Sequence, residues 1–371
     1  MQIVFWAAAA LVFYAYIGFP LLLLLLRLVI RRKPRLEPIE PAISLLVAAY
    51  NESHVIQAKV RNALDLDYPA DKLEIVIADD GSIDGTSDLA RDAARGDPRL
   101  RVIRYPKNRG KTWVLNDTVP QLLGGIVAFS DASSMIAPDA LRLLVRHFSD
   151  PRVGAVSGIY EVRKKHETEL GVQEGIYWKY ETSLRQQEAE LHSVLGCHGS
   201  LYAIRRALYP FPPPGTINDD FVIPLRILQK GYRCAYEPKA VSYEEAREMV
   251  GFGRRVRIMA GNLQQFGDVG IFLRPFQPLP LLFFLSHRIG RLLAAACLPV
   301  LLITNLLLWK NPFYAALGCL QLAFYALALL GAAGRLRPKF LRLPYYFSMI
   351  NVAMFIALYG SLARRRAVTW K

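Results

Sequence analysis

Leu73-Glu74-Ile75-Val76-Ile77-Ala78-Asp79-Asp80-Gly81-Ser82 decides how this chain reads. Four of its first five residues are apolar, two isoleucines and a valine among them, the pattern of a strand covered on both faces. Asp-Asp-Gly-Ser then ends the run with carboxylates and turn formers. In open α/β sheets that carboxyl edge is where ligands sit. Carboxylates there can accept from ribose hydroxyls or a base, or help hold a divalent cation. The competing reading is a polar strand end before a helix cap, since Ser82 and Asp84 both suit one.

Outward from this stretch, strand-like runs lie at Ile43–Ala49, Leu100–Arg104, Ile126–Ser130 and Val153–Ser157. Helix-like stretches fall between most of them, at Glu52–Leu66, Thr86–Arg95, Thr112–Leu123 and Pro138–Phe148. Such alternation predicts an α/β domain over 42–250 with a mostly parallel, Rossmann-like sheet covered on both faces. Residues 28–41, with Pro34, Pro38 and Pro41 among charges, read as a linker.

The chain has 371 residues, 53% of them apolar, and these are unevenly spread. Residues 3–26 carry no charge and can cross a hydrocarbon core of about 30 Å as a helix. A signal peptide would be shorter and preceded by basic residues. Arg27, Arg31, Arg32, Lys33 and Arg35 follow, which puts the next segment in the cytoplasm. The uncharged runs 292–309, 312–334 and 344–363 predict three C-terminal spans, with a basic tail at 364–371. Arg274, Pro275, Pro278 and Pro280 argue against a fourth span, so 251–291 is expected to be interfacial. Much of the net charge of +15 flanks these runs and reads as contact with anionic lipid, not nucleic acid. The four cysteines show no paired metal spacing and no disulfide framework.

Several polar residues punctuate the α/β region. Ala48-Ala49-Tyr50-Asn51-Glu52 ends the first strand with small residues that let a ring approach, although Asn51 can simply cap a helix. Lys111 beside a helix start suits an anion, or is a solvated lysine in a turn. Asp131 ends the strand Ile126–Ser130; with a diphosphate it would suffice for a hard divalent ion. His198, in Gly196-Cys197-His198-Gly199-Ser200, either contacts a ligand or satisfies loop backbone. Asp219 and Asp220 open a helix, where the dipole favours acids whatever their use, and either can serve as a general base. Arg254, Arg255 and Arg257 set three guanidiniums on one turn, for a leaving diphosphate or for a membrane surface.

In this order the motifs resemble the membrane-embedded, inverting family 2 glycosyltransferases of GT-A fold, in the branch of the cellulose, hyaluronan and poly-N-acetylglucosamine synthases. The resemblance runs from the N-terminal span to the C-terminal helices. It implies donor-nucleotide contacts at Ala49, Tyr50, Asn51, Glu52 and Asp80, and at Lys111 near the base or diphosphate. Asp131-Ala132-Ser133 stands where the family has its Asp-x-Asp metal motif, implying Mg²⁺ or Mn²⁺ at Asp131. Asp220 stands as the base, Asp219 as the alternative; Arg254, Arg255 and Arg257 face the diphosphate, and His198, Gly199 and Ser200 the acceptor.

The implied activity is transfer of a sugar from a nucleotide sugar, expected to be a UDP-sugar, to a lipid-linked or oligosaccharide acceptor. It would serve surface polysaccharide or glycolipid synthesis. The implied setting is a bacterial inner membrane with the catalytic domain cytoplasmic. Three departures stand out: Ser133 for the second metal aspartate, Arg254 for a glutamine, and Ile258 for the tryptophan that stacks under the acceptor in polymerising members. The expectation is therefore addition of one or a few sugars, with a processive synthase as the alternative. A long product would need a partner subunit or homo-oligomer to complete its conduit. A sugar-nucleotidyltransferase would want a glycine-rich basic loop after the first strand, which Ala48–Glu52 lacks. A non-catalytic scaffold or transporter subunit would not need Asp220 together with the arginines.

Overall fold

The computed structural model describes residues 1–30, 32, 34–163, 169–245, 252–264, 270–273, 276–336 and 339–362; side chains at 162–163, 169–178, 245, 252–255, 339–340 and 358–362 are outside that description. Eight strands form one sheet: β1 (Ile43–Ala49), β2 (Leu73–Asp79), β3 (Leu100–Arg104), β4 (Ile126–Asp131), β5 (Met135–Ile136), β6 (Val153–Arg163), β7 (Tyr202–Arg205) and β8 (Arg233–Glu245). Their spatial order is β3-β2-β1-β4-β7-β6-β8-β5. The half from β3 to β4 is parallel, and every residue of β1 is buried. Apolar residues facing both ways along one strand need cover on both faces, and helices provide it. The register pairs Ala49 with Asp79 and Ala48 with Asp131, so the ends of β1, β2 and β4 meet at one edge.

The other half differs from a purely parallel sheet. β7 runs antiparallel to both β4 and β6, and β5 is antiparallel to β8. β8 was not anticipated: Arg233, Glu237, Pro238, Lys239, Glu244 and Glu245 break any apolar run, yet it pairs with β6 along its length.

Among the described residues, three helices are long and apolar enough to cross a membrane: Gln2–Val29, Pro278–Leu307 and Pro312–Ala332. Pro278–Leu307 begins earlier than the expected 292, because Pro278 and Pro280 lie in its first turn, where a missing N–H costs nothing. Arg288 and Arg291, assigned to an interfacial stretch, therefore belong to this helix. A further helix covers Leu343–Leu362, and the tail 364–371 lies outside the described residues. Phe19 and Leu23 of the first helix pack with Phe272, Phe283 and Phe284 against Leu184, Leu191, Phe221 and Leu225 of the sheet domain.

Candidate active site

The edge where β1, β2 and β4 end is built by hydrogen bonds between loops. Asp79 turns inward, accepting from Ser82 N–H (2.9 Å) and Ser87 Oγ. Asp80 is fully buried, and its two oxygens accept from the amides of Arg109 (2.9 Å) and Gly110 (2.7 Å). Burial raises its pKa while those amides oppose the shift. Asp80 thus fastens the loop before Lys111. Gly81 follows at φ 75°, and a side chain there would run into the Lys107 backbone at 2.6 Å, so the turn requires glycine. Asn51 lies at φ 54°, donates its N–H to Ser82 Oγ (2.8 Å) and accepts from Ile83 N–H (3.1 Å). The Glu52 amide donates to Thr86 Oγ1 (2.9 Å). Half-buried Tyr50, Asn51 and Glu52 therefore form one wall beside buried Ala49.

Lys111 opens the helix Lys111–Thr118, which is tied to the stretch leading to Asp219. Thr112 Oγ1 donates to the Thr216 carbonyl (3.0 Å), and Asn116 donates to that of Pro212 (2.9 Å). The Lys111 ammonium consequently reaches Asp131 Oδ1 at 3.0 Å and Asp219 Oδ2 at 3.5 Å. Burial by itself would lower the pKa of Lys111, but the carboxylates of Asp131, Asp219 and Asp220 outweigh it and raise it.

Asp219 and Asp220 begin the helix Asp219–Gln229, which has Asn218 at its N-cap position and Pro224 inside it. Proline has no N–H to give the carbonyl four residues back, which here is that of Asp220. The Cys197 amide takes this carbonyl at 2.8 Å, and the Gly199 amide donates to Asp220 Oδ2 at 3.1 Å. A side-chain carbon on Gly199 would lie 3.3 Å from Asp220 Oδ2 and 3.6 Å from Asp131 Oδ2, so glycine leaves the space between the two acids open. Burial, then the nearby Asp219 charge, pushes Asp220 up to about 6, against the pull of Lys111. Burial raises Asp219 as well, and its buried Oδ2 makes no hydrogen bond.

Of the anticipated acceptor trio, Gly199 alone borders these carboxylates. His198 is buried, its amide donates to Ser157 Oγ (3.1 Å), and burial holds its imidazole well below the usual range. Ser200 faces inward, bonded to Ser242 Oγ at 2.9 Å. Arg257 is half-buried on the helix Phe252–Gln264, while the side chains of Arg254 and Arg255 lie outside the described residues. That helix presses on Asn218: a carbon added at Gly261 would come within 2.4 Å of Asn218 Oδ1, and Asn218 Nδ2 donates to Asn262 Oδ1 (3.1 Å).

Two residues absent from the sequence reading support Asp131. Ser133 Oγ donates to buried Glu244 of β8 at 2.6 Å, so a carboxylate stands behind the serine that replaces the second motif aspartate. Fully buried Lys59 donates to Ser130 Oγ (2.6 Å) and to the Ser134 carbonyl, bracketing Asp131. Burial lowers Lys59 to about 7, opposed by the charges of Asp131 and Glu244. Neither residue has a local signal: Lys59 reads as a solvated helix position, and Glu244 is brought in by β8.

Residues 44–210 match the family model described as Glycosyl transferase family 2. The chain is 27% identical over 243 residues to poly-beta-1,6-N-acetyl-D-glucosamine synthase of Staphylococcus aureus (strain COL), covering 64% of this chain and 58% of that protein. The Staphylococcus epidermidis enzyme of the same name is 26% identical over 242 residues, covering 64% of this chain and 57% of that protein. The chain thus spans less than two thirds of the length of these curated relatives. Among solved structures, a mannosyltransferase from Pyrobaculum calidifontis in complex with GDP-Man and Mn²⁺ superposes with a TM-score of 0.74 at 25% identity, covering 97% of this chain and 99% of that one. The mixed, mostly parallel sheet is of GT-A type.

Proposed function

We propose that this chain, which carries a family 2 glycosyltransferase domain, is an inverting transferase that moves one or a few sugars from a nucleotide sugar to a membrane-associated acceptor. The observation that carries the reading is the pairing of Asp131 and Asp219 with one lysine, with Asp220 beside them and its carboxyl raised to about 6. A base with a pKa near working pH is both ionised and able to take a proton.

Asp220 accepts the proton of the acceptor hydroxyl as its oxygen attacks the anomeric carbon. The bond to the diphosphate breaks on the opposite face, so one displacement inverts the centre. Gly199 leaves room for the hydroxyl between Asp220 and Asp131. Lys111 and Arg257 balance charge growing on the leaving diphosphate. Ala49, Tyr50, Asn51 and Glu52 form the wall for the nucleotide, and Asp80 holds the Arg109–Gly110 loop that positions Lys111.

A divalent cation fits this donor set, because Asp131 and Asp219 share one ammonium with Asp220 alongside, and a buried oxygen of Asp219 lacks a hydrogen bond. Among the described residues no group of three or more acidic, histidine or cysteine side chains forms an ion cage. Asp131, backed by Ser133 and Glu244, would therefore hold the ion with oxygens of the donor diphosphate, and either Mg²⁺ or Mn²⁺ suits oxygen ligands. Bound there, the ion supplies electrostatic stabilisation of the leaving group.

A processive synthase is the second reading, favoured by the names of the curated relatives. Ile258 argues for short addition: it is 40% exposed beside Asn218 and offers no aromatic face to a sugar. The protein is proposed to sit in a bacterial inner membrane with this site cytoplasmic. The test is release of nucleoside diphosphate by the detergent-purified chain against a panel of UDP- and GDP-sugars with native membranes, with and without EDTA, followed by sizing of products. Transfer from one donor class to short, membrane-extractable products is expected. No transfer from any donor would overturn the enzymatic reading, and a ladder beyond roughly ten sugars would favour the second one.

A further inference from the structure

Where the apolar helices meet the helix Glu169–Leu191, they line a cavity of about 690 Å³, within the roughly 300–1,000 Å³ of small-molecule sites. Its wall changes character. One part carries Glu181, His287, Arg288 and Arg291; another presents Leu298, Phe347 and Met354 from the apolar helices. The polar part adjoins the catalytic helix. Asn262 lines the cavity and bonds Asn218, the residue before Asp219, while the Arg288 guanidinium lies 4.9 Å from the centroid of the Phe221 ring, next to Asp220.

The three arginines of this region are not equivalent. Arg185 and Arg291 are paired with Glu181, at 3.4 and 2.6 Å. Among the described residues Arg288 makes no hydrogen bond or ion pair, and stacks on Phe221 alone. A guanidinium with free donors on a cavity wall is a fork for a phosphate or carboxylate. The apolar wall wants a chain without hydroxyls, since polar groups buried there lose hydrogen bonds to water.

We propose that this cavity seats the acceptor, and that the acceptor is a lipid phosphate whose head bears the attacking hydroxyl, its phosphate on Arg288 and its chain among the helices, which brings that hydroxyl beside Asp220. This names the acceptor of the transferase reading and rests on it; lipid binding is therefore measured without donor, so that it can fail or hold independently of transfer.

The full chain in neutral nanodiscs is titrated with hexadecyl phosphate, hexadecanol and inorganic phosphate. Hexadecyl phosphate is expected to bind roughly tenfold tighter than the alcohol, the difference that charge-assisted hydrogen bonds make. Arg288→Gln should erase that preference, and Met354→Trp, which fills the apolar part, should weaken both lipids. Nucleoside diphosphate binding, unchanged in both variants, reports an intact fold. Should Arg288→Gln lose it, Arg288→Lys keeps the charge without the fork and should narrow the preference. Equal binding of phosphate and alcohol by the wild type, a preference untouched by Arg288 substitution, or displacement of the lipid by an equal concentration of inorganic phosphate would each overturn the proposal.

Discussion

Two clusters of buried charge in this molecule have opposite balance. At the carboxyl edge of the sheet, Asp131 and Asp219 pair with Lys111 while Asp220 stands beside them, leaving carboxylates in excess. Where the sheet domain meets the apolar helices, Glu181 and Glu188 meet Arg185, Arg291 and His287. Burial tends to raise a carboxyl pKa in both places. In the first, neighbouring acids add to it and Asp220 rises to about 6; in the second, burial is outweighed by His287 and Arg291, and Glu181 falls well below its usual range. An unbalanced cluster can exchange a proton or take a cation. The second, in which both acids are paired, ties elements together.

The sharpest way to break this contrast is Asp220→Asn. Transfer should fall roughly 10²–10⁴-fold, with nucleoside diphosphate binding retained in calorimetry. Above a tenth of the wild-type rate, base catalysis would pass to Asp219. In the wild type kcat/KM should rise with pH through about 6, because the base works only once deprotonated. The variant should lack that limb.

Glu181→Ala tests the other cluster and should behave oppositely. It removes the carboxylate that Arg185, Arg291 and His287 share and should cost about 3–5 kcal/mol of stability, read as a lowered unfolding midpoint in detergent. Nucleotide affinity of the folded fraction should be unchanged. Wild-type stability would mean that this cluster is not a clamp.

Asp131→Ala should abolish the EDTA-sensitive part of nucleoside diphosphate binding, measured by titration with Mn²⁺. Unchanged metal dependence would move the ion elsewhere. Lys111→Met sharpens the contrast, because it removes the charge that lowers Asp220. The acid limb of the pH profile should move to higher pH; a shift to lower pH would contradict the cluster as described. Glu244→Gln should have the smallest effect, a few-fold weakening of metal-dependent nucleotide binding through Ser133, since a neutral amide polarises the hydroxyl less. No change would leave Glu244 a packing residue.

The two halves of the sheet were unequally legible. β1, β2 and β4 are where the sequence suggested, because strands buried on both faces are nearly unbroken apolar runs, and partly exposed β3 at the sheet edge lies where expected too. β8 contains Glu237, Pro238, Lys239 and Glu244, so its pattern says loop; pairing with β6 and β5 overrides it. The same holds for individual residues. Asp131, Asp219 and Asp220 stood out as acids at element ends, and Pro224 was a usable signal, since proline four residues on leaves the Asp220 carbonyl for the Cys197 amide. His198 could contact a ligand or satisfy loop backbone; that it and Ser200 are buried is a matter of packing, not of local sequence.

By itself, the sequence determined the parallel half of the sheet, the presence of apolar spans and the chemistry available at each strand end, because these follow from local periodicity and residue type. Tertiary structure decided which charges meet. Lys111 reaches Asp131 and Asp219 because its helix is tied to the Pro212 and Thr216 carbonyls, and Glu244 stands behind Ser133 because β8 crosses to β5. The strength of a buried charge depends on distances of a few ångströms between segments far apart in the chain, and only packing sets those distances.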